Sequence, residues 1–167
     1  MKNDLVKTIT RNAIVASIYV VLTIATSSFS FGMIQVRIAE ALMLLCFFRR
    51  DYIWGLTLGC LIANLFSPML PWDLIIGTAA TFLSCICICF VKQMFIAALF
   101  PVIFNAFMVA GELHFILGEG YWISAAFVGL GEFIAVCVIG YALFMVVKRN
   151  KKALESLGAN RNLEAKW

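Results

Sequence analysis

Six apolar runs follow one another along this chain, split by short breaks of charge, glycine and proline. They cover roughly residues 9–28, 37–48, 52–66, 73–91, 94–113 and 123–147. A transmembrane helix needs ~20 apolar residues, and 167 residues leave room for about six such spans and little else. The composition agrees: 63% of residues are hydrophobic and only 13% are charged. A soluble domain of this size needs far more polar surface. The reading is an all-α integral membrane protein, one domain over residues 1–167, with six transmembrane helices and a basic tail from 148 to 167.

The breaks carry their own signals. The start is basic, then apolar, then rich in small residues, as a secretory leader would be; the segment is read here as a retained first span. "SFSFGMIQV" ends that span. "RRD" (Arg49, Arg50, Asp51) is a tight turn. The prolines of "SPMLP" cannot continue a helix, and Asp73 stands where a helix N-cap would. "KQ" (Lys92, Gln93) and "HFILGEGYW" are the next two turns, and "KRNKK" closes the last span.

The positive charges sort the loops. Lys2, Lys7 and Arg11 precede span one, Arg49 and Arg50 follow span two, and Lys92 follows span four. Lys148, Arg149, Lys151, Lys152, Arg161 and Lys166 lie beyond span six. All of these fall on one side of a six-span chain. By the positive-inside rule both termini are cytoplasmic. Of thirteen Lys and Arg, only Arg37 falls on the outer side.

Arg37 and Glu40 stand three apart, close enough to pair on a helix. Intramembrane charges are costly and usually line a cavity or pair with each other. Either the two neutralise each other and pin the outer loop, or they rim a ligand site. Glu132 lies within span six with no cation in that span; it is either a ligand group or a protonated acid bonded to a neighbouring helix.

Small residues recur every four positions at Gly55, Gly59 and Ala63 on span three, and at Ala13 and Ser17 on span one, with Ala16 beside them. Such spacing lets helix backbones approach closely. For span three the expectation is packing inside the bundle; for span one, an external helix partner is equally open. The six cysteines all sit inside apolar runs without zinc-finger spacing and read as small buried residues. There is no phosphate-loop motif and no hydrolase or metalloprotease signature. No enzyme activity, cofactor, metal or nucleic-acid partner is expected. His114, the single histidine, reads as a polar loop residue.

The stretches "IQVRIAEALMLL", "GLTLGCLIANLFSP" and "WDLIIGTAATFL", followed by "VIFNAFMVAGEL" and "VGLGEF", resemble in order and spacing the QueT family. These are substrate-binding S components of energy-coupling factor (ECF) transporters. The resemblance covers roughly residues 9–147 and departs at "SPMLPWD", where a shorter glycine-containing turn is expected. It implies a six-helix S component that binds a queuosine precursor, a 7-deazaguanine base, at the outer face. A separate module, a transmembrane coupling subunit with two ATPases, would supply the energy.

Beside that resemblance, the residues offer parts for a planar heteroaromatic ligand. Carboxylates and amides can pair with its N–H and carbonyl edge, and aromatic rings can stack on its faces. Asn105 and Glu112 are seven apart on span five, hence nearly on one face. Asn64 stands beside the glycine stripe. The polar candidates are Glu132, Asn105, Glu112, Glu40, Arg37, Asn64, Gln35 and Asp73. The aromatic candidates, Phe31, Trp72, Tyr121 and Trp122, serve equally as an interfacial belt. Ala13, Ala16 and Ser17 are candidates for the face that meets the coupling module. Rival functions are an S component for another vitamin or purine-like base, a stand-alone secondary transporter, and a membrane scaffold.

Overall fold

The computed structural model describes residues 2–27 and 35–161, so Phe31 lies outside the described residues. Among these, the chain is helical throughout, with no strand. We number the helices α1 (Lys2–Ala25), α2 (Ile38–Phe48), α3 (Tyr52–Asn64), α4 (Trp72–Ile88), α5 (Met94–Leu117), α6 (Tyr121–Arg149) and α7 (Lys151–Ser156). Asp4–Ala25 within α1, together with α5 and α6, is long and apolar enough to cross a membrane. The apolar helices α2, α3 and α4 are shorter. Ile14, Val21, Trp54, Ile75, Ile123 and Val146 are all exposed, an apolar outer surface suited to hydrocarbon rather than water.

Local chemistry explains several departures from the expected bounds. α1 starts seven residues earlier than the hydropathy suggests. Its polar side chains stay helical by bonding to carbonyls one turn back: Thr10 to Val6, Asn12 to Thr8, Ser17 to Ala13 and Thr23 to Tyr19, at 2.8–3.0 Å. α2 begins as a 3₁₀ turn, Ile38–Leu44, and only then becomes α-helical. α5 runs through Pro101, which has no N–H to offer the preceding turn. It ends at Gly118, whose φ of 72° and N–H bond to the His114 carbonyl form a left-handed cap. His114 is therefore in the last helical turn, not in a loop. α6 contains a π-helical stretch, Phe133–Gly140, beginning just after Glu132.

Close backbone contacts set the helix order. A Cβ on Gly55 would lie 2.6 Å from Asn12 Oδ1, and one on Gly59 would lie 3.0 Å from Ala16. The glycine stripe of α3 thus packs on α1, and Gly55 N–H donates to Asn12 Oδ1 at 2.8 Å. Ala16 is consumed by this contact and is buried, which corrects its assignment to an outward-facing surface; Ala13 and Ser17 remain exposed. On the other side, Gly131 abuts the Gln35 carbonyl and Gly140 abuts Ala41, so α6 presses directly on α2. Enclosed this way, α2 buries Met43, Leu44, Phe47 and Phe48, and Phe48 stacks on Phe144 with centroids 5.9 Å apart.

At the basic end of the bundle the tail folds back. The N–H groups of Asn160 and Arg161 donate to the Phe48 carbonyl, and Arg161 Nη2 donates to the Cys89 carbonyl at 2.7 Å. Tyr52 Oη donates to the Leu157 carbonyl at 2.7 Å, and Arg49 bridges Thr8, Asp51 and the Gly158 carbonyl. These bonds satisfy carbonyls that helix C-termini leave open.

The glycine contacts make a stability prediction. Gly55→Ala and Gly59→Ala overpack the α1–α3 seam and should each cost about 1–3 kcal/mol. Gly111→Ala, whose nearest neighbour to an added Cβ is Tyr121 at 4.0 Å, should stay within about 0.5 kcal/mol. Thermal unfolding in detergent compares the three; equal melting temperatures would contradict the seam.

Candidate functional site

Burying charge in a bundle of apolar helices requires partners, and the partners here come from distant parts of the chain. Arg37 is 2% exposed and precedes the 3₁₀ turn of α2. Its Nη2 donates to Asp73 Oδ1 at 3.1 Å, and its Nη1 lies 3.8 Å from Glu40 Oε1. The neighbour expected from spacing, Glu40, is thus the longer contact. The closer partner is 36 positions along the chain. Asp73 is not a helix N-cap: Pro71 holds that place, and the Asp73 carboxylate sits in the first turn of α4, taken by Arg37 and by the Ser67 hydroxyl. Asn64 Nδ2 donates to the Asp73 carbonyl at 2.8 Å and so fixes the start of α4 from the end of α3. Gly77 leaves the space: a Cβ there would stand 3.0 Å from Asn64 Nδ2 and 3.3 Å from Arg37 Nη1.

Glu40 is the hub of this network. Its Oε2 accepts from Asn105 Nδ2 at 2.6 Å, and its Oε1 accepts from Tyr19 Oη at 3.5 Å. Its carboxyl also makes hydrogen-bond contact with that of Glu132. A hydrogen bond between two carboxyl groups needs a proton on one of them. Glu132 is therefore not solitary, as its span alone suggested: it faces Glu40. Gln35 is buried beside it through the contact of its carbonyl with Gly131.

Next to the network lies a pocket of about 570 Å³ between α4, α5 and the start of α6. Trp72, Phe107, Phe115 and Tyr121 supply its rings, with Ile76, Met108, Gly111 and Ile116 between them. Glu112 is its single carboxylate, 2% exposed and close enough to Asp73 and Arg37 to feel both charges. Tyr121 is held by its hydroxyl on the Phe107 carbonyl at 3.3 Å. Trp122 turns away, exposed and edge-on to Tyr121, and does not line the pocket.

Several acceptors here have no hydrogen-bond partner among the described residues: both oxygens of Glu112, Glu132 Oε2 and Asn105 Oδ1. All are buried, and an unsatisfied buried acceptor costs about 1–3 kcal/mol. Of these, only Glu112 lines the ring-lined cleft, while Asn105 and Glu132 sit in the network around Glu40; a carboxylate among rings suits a flat ligand that carries an N–H donor. No group of three or more His, Cys, Asp or Glu side chains suited to a metal occurs among the described residues.

Sequence reasoning did not find Tyr19, Ser67, Ile76, Phe107, Met108, Gly111, Phe115 or Ile116. For α5 a signal existed. Phe107, Gly111 and Phe115 repeat every four positions and flank Glu112, so they form one stripe of the helix. For Tyr19 and Ser67 none did, because their partners are set by the tertiary fold.

The ion pair makes its own prediction. Arg37→Met leaves Asp73 and Glu40 buried beside an apolar group and should cost about 3–5 kcal/mol. Arg37→Met with Asp73→Asn should regain a substantial part of that loss. Detergent melting of both variants checks it; a single variant as stable as the parent would remove the structural role of the pair.

Comparison with known proteins places this architecture. A family model described as QueT transporter matches residues 9–149. The queuosine precursor transporter QueT of Lactococcus lactis subsp. cremoris (strain MG1363) is 32% identical over 167 residues, covering 89% of this chain and 97% of the relative. No solved structure matches. The chain belongs to the QueT transporter family, and is a membrane protein of that family.

Proposed function

We propose that this chain is the substrate-binding S component of an ECF-type importer, multi-pass in the cell membrane, that takes up a queuosine precursor. The transported class is the one named for the Lactococcus relative. The six apolar helices would each span or enter the bilayer, with both termini cytoplasmic, as the distribution of Lys and Arg favours. The ligand would enter from the outer face at the ring-lined pocket. The energising module would be separate, a coupling subunit with two ATPases.

The observation that carries the reading is the set of buried acceptors without partners at Glu132, Asn105 and Glu112. A deazaguanine base presents N–H donors along one edge. Glu132 and Asn105 would take that edge, with Glu40 holding Asn105 in place through its 2.6 Å bond. Arg37, Asp73 and Asn64 would act as the frame that keeps α2, α3 and α4 in register, and Trp72 and Tyr121 would contact the ring faces. Gln35, buried at the entry to α2, would stand beside the site, and Phe31 lies outside the described residues.

Glu132→Gln keeps the shape but turns a donor toward the N–H edge. With Glu132 ionised in the complex and the proton of the pair on Glu40, the hydrogen bond to the base is charge-assisted and worth about 1.5–3 kcal/mol net, so affinity should fall roughly 10- to 150-fold. Glu119→Gln should change little, because Glu119 lies in the turn before α6, where its carboxylate accepts from Ser124. Calorimetry on the folded variants measures both; an affinity within about twofold of the parent excludes Glu132 from the edge.

Coupling is tested separately. Ala13 and Ser17 are exposed on α1, whereas Ala16 is packed on Gly59. Ala13→Trp and Ser17→Trp should retain precursor affinity and lose uptake in cells. Equal loss of binding and uptake would show that this face does not meet the module.

A further inference from the structure

The buried charges of this chain do not balance. Among the described residues, those buried are Arg37, Glu40, Asp73, Glu112 and Glu132, four carboxyl groups against one guanidinium. Arg37 is committed to Asp73 and Glu40, and Glu132 bonds to Glu40. Glu112 is left apart. It is 2% exposed, neither of its oxygens has a hydrogen-bond partner, and no ion pair reaches it among the described residues. Its position in the pocket is also distinctive: it is the one charged group in a lining otherwise made of rings, aliphatic side chains and glycine. A carboxylate set among Trp72, Phe107 and Tyr121 offers two attractions to a cation, a charge-assisted hydrogen bond and the negative faces of the rings. To a neutral side arm without an N–H, such as a nitrile, it offers neither.

We propose that Glu112 and the rings around it form a subsite for a protonated amine, and that the chain takes the aminomethyl form of the deazaguanine base in preference to the neutral nitrile form. This rests on the reading above that the ligand is a queuosine precursor. The chemistry of the base fits two separate acidic positions. Its N–H edge lies on the six-membered ring, and the side arm that carries the amine projects from the five-membered ring. Glu132 stands on α6, and Asn105 and Glu112 stand seven residues apart on α5, a rise of about 10 Å along the helix, so the carboxyl group of Glu112 is set apart from the position of Asn105. An ammonium at Glu112 also supplies the missing counter-charge to the acid excess.

The test measures binding of the aminomethyl base and of the nitrile base by calorimetry, to the full chain and to Glu112→Gln. The parent should bind the aminomethyl base at least tenfold more tightly. Glu112→Gln should weaken the aminomethyl base by roughly 10- to 150-fold while the nitrile base stays within about twofold, which also reports that the variant is folded. Equal losses for both bases would overturn the proposal and move Glu112 to the shared N–H edge. No loss for either would remove Glu112 from the site. Equal parental affinity for the two bases overturns the subsite without any variant and leaves the precursor reading standing. A parent that binds neither base removes that reading, and the subsite with it.

Discussion

Everything at the acidic end of this bundle depends on how Arg37 is held. A guanidinium at 2% exposure among apolar helices must be met by carboxylates at short range. It is met by Asp73 from the first turn of α4 and by Glu40 from its own turn. Those carboxylates then need donors of their own. Asp73 takes Ser67, and Glu40 takes Asn105 and Tyr19 and bonds to Glu132. One buried cation thus draws together residues from α1, α2, α4, α5 and α6. Because low dielectric strengthens satisfied polar contacts and penalises unsatisfied ones, the network tolerates little displacement. Two devices remove the steric obstacles: Gly77 makes room for the guanidinium, and Gly131 lets α6 touch the backbone at Gln35.

Much of this was legible in the sequence, for identifiable reasons. The apolar runs are long and their breaks carry proline or charge, so the six apolar helices and their order follow from hydropathy. The seam of Gly55 and Gly59 follows from a four-residue repeat of small side chains. What failed were rules applied too locally. Asp73 looks like an N-cap because of its place at a helix start, but a cation 36 positions away claims its carboxylate. Arg37 and Glu40 look like a helical pair, yet the chain there forms a 3₁₀ turn, and their contact is the longer one. Ala16 shares a stripe with Ala13, and spacing cannot say which member of a stripe faces inward. The π-helical turn after Glu132 has no sequence signature at all, since its apolar residues suit an α-helix equally well.

The two ends of the bundle handle polar backbone and side chains in opposite ways. At the basic end the tail closes accounts with the helix termini. Phe48, Cys89, Leu157 and Gly158 each have their carbonyl taken by a specific donor. Gly158 adopts φ of 62° there, with the Arg11 guanidinium where a Cβ would stand; only glycine fits both demands. At the acidic end, by contrast, buried acceptors on Glu112, Glu132 and Asn105 stay without donors. The basic end is thus closed by backbone bonds from the tail, and the acidic end holds the unpartnered carboxylate and amide oxygens among the described residues.

That asymmetry links stability to binding. On the proposed reading, a ligand that supplies N–H donors would satisfy oxygens of Glu112, Glu132 and Asn105 that have no partner among the described residues, and leaving such a buried acceptor unsatisfied costs about 1–3 kcal/mol. On that reading, the same set of acceptors would contribute to affinity when the base is bound. It would also select. A ligand of similar shape that lacks a donor at one position leaves that acceptor buried and unsatisfied, and loses more than the worth of a single hydrogen bond between exposed partners. The rings of Trp72, Phe107 and Tyr121 would welcome many flat molecules. On the proposed reading, the acceptors that meet the base would reject most of them, and in a bundle this apolar the placement of a few oxygens would carry the discrimination.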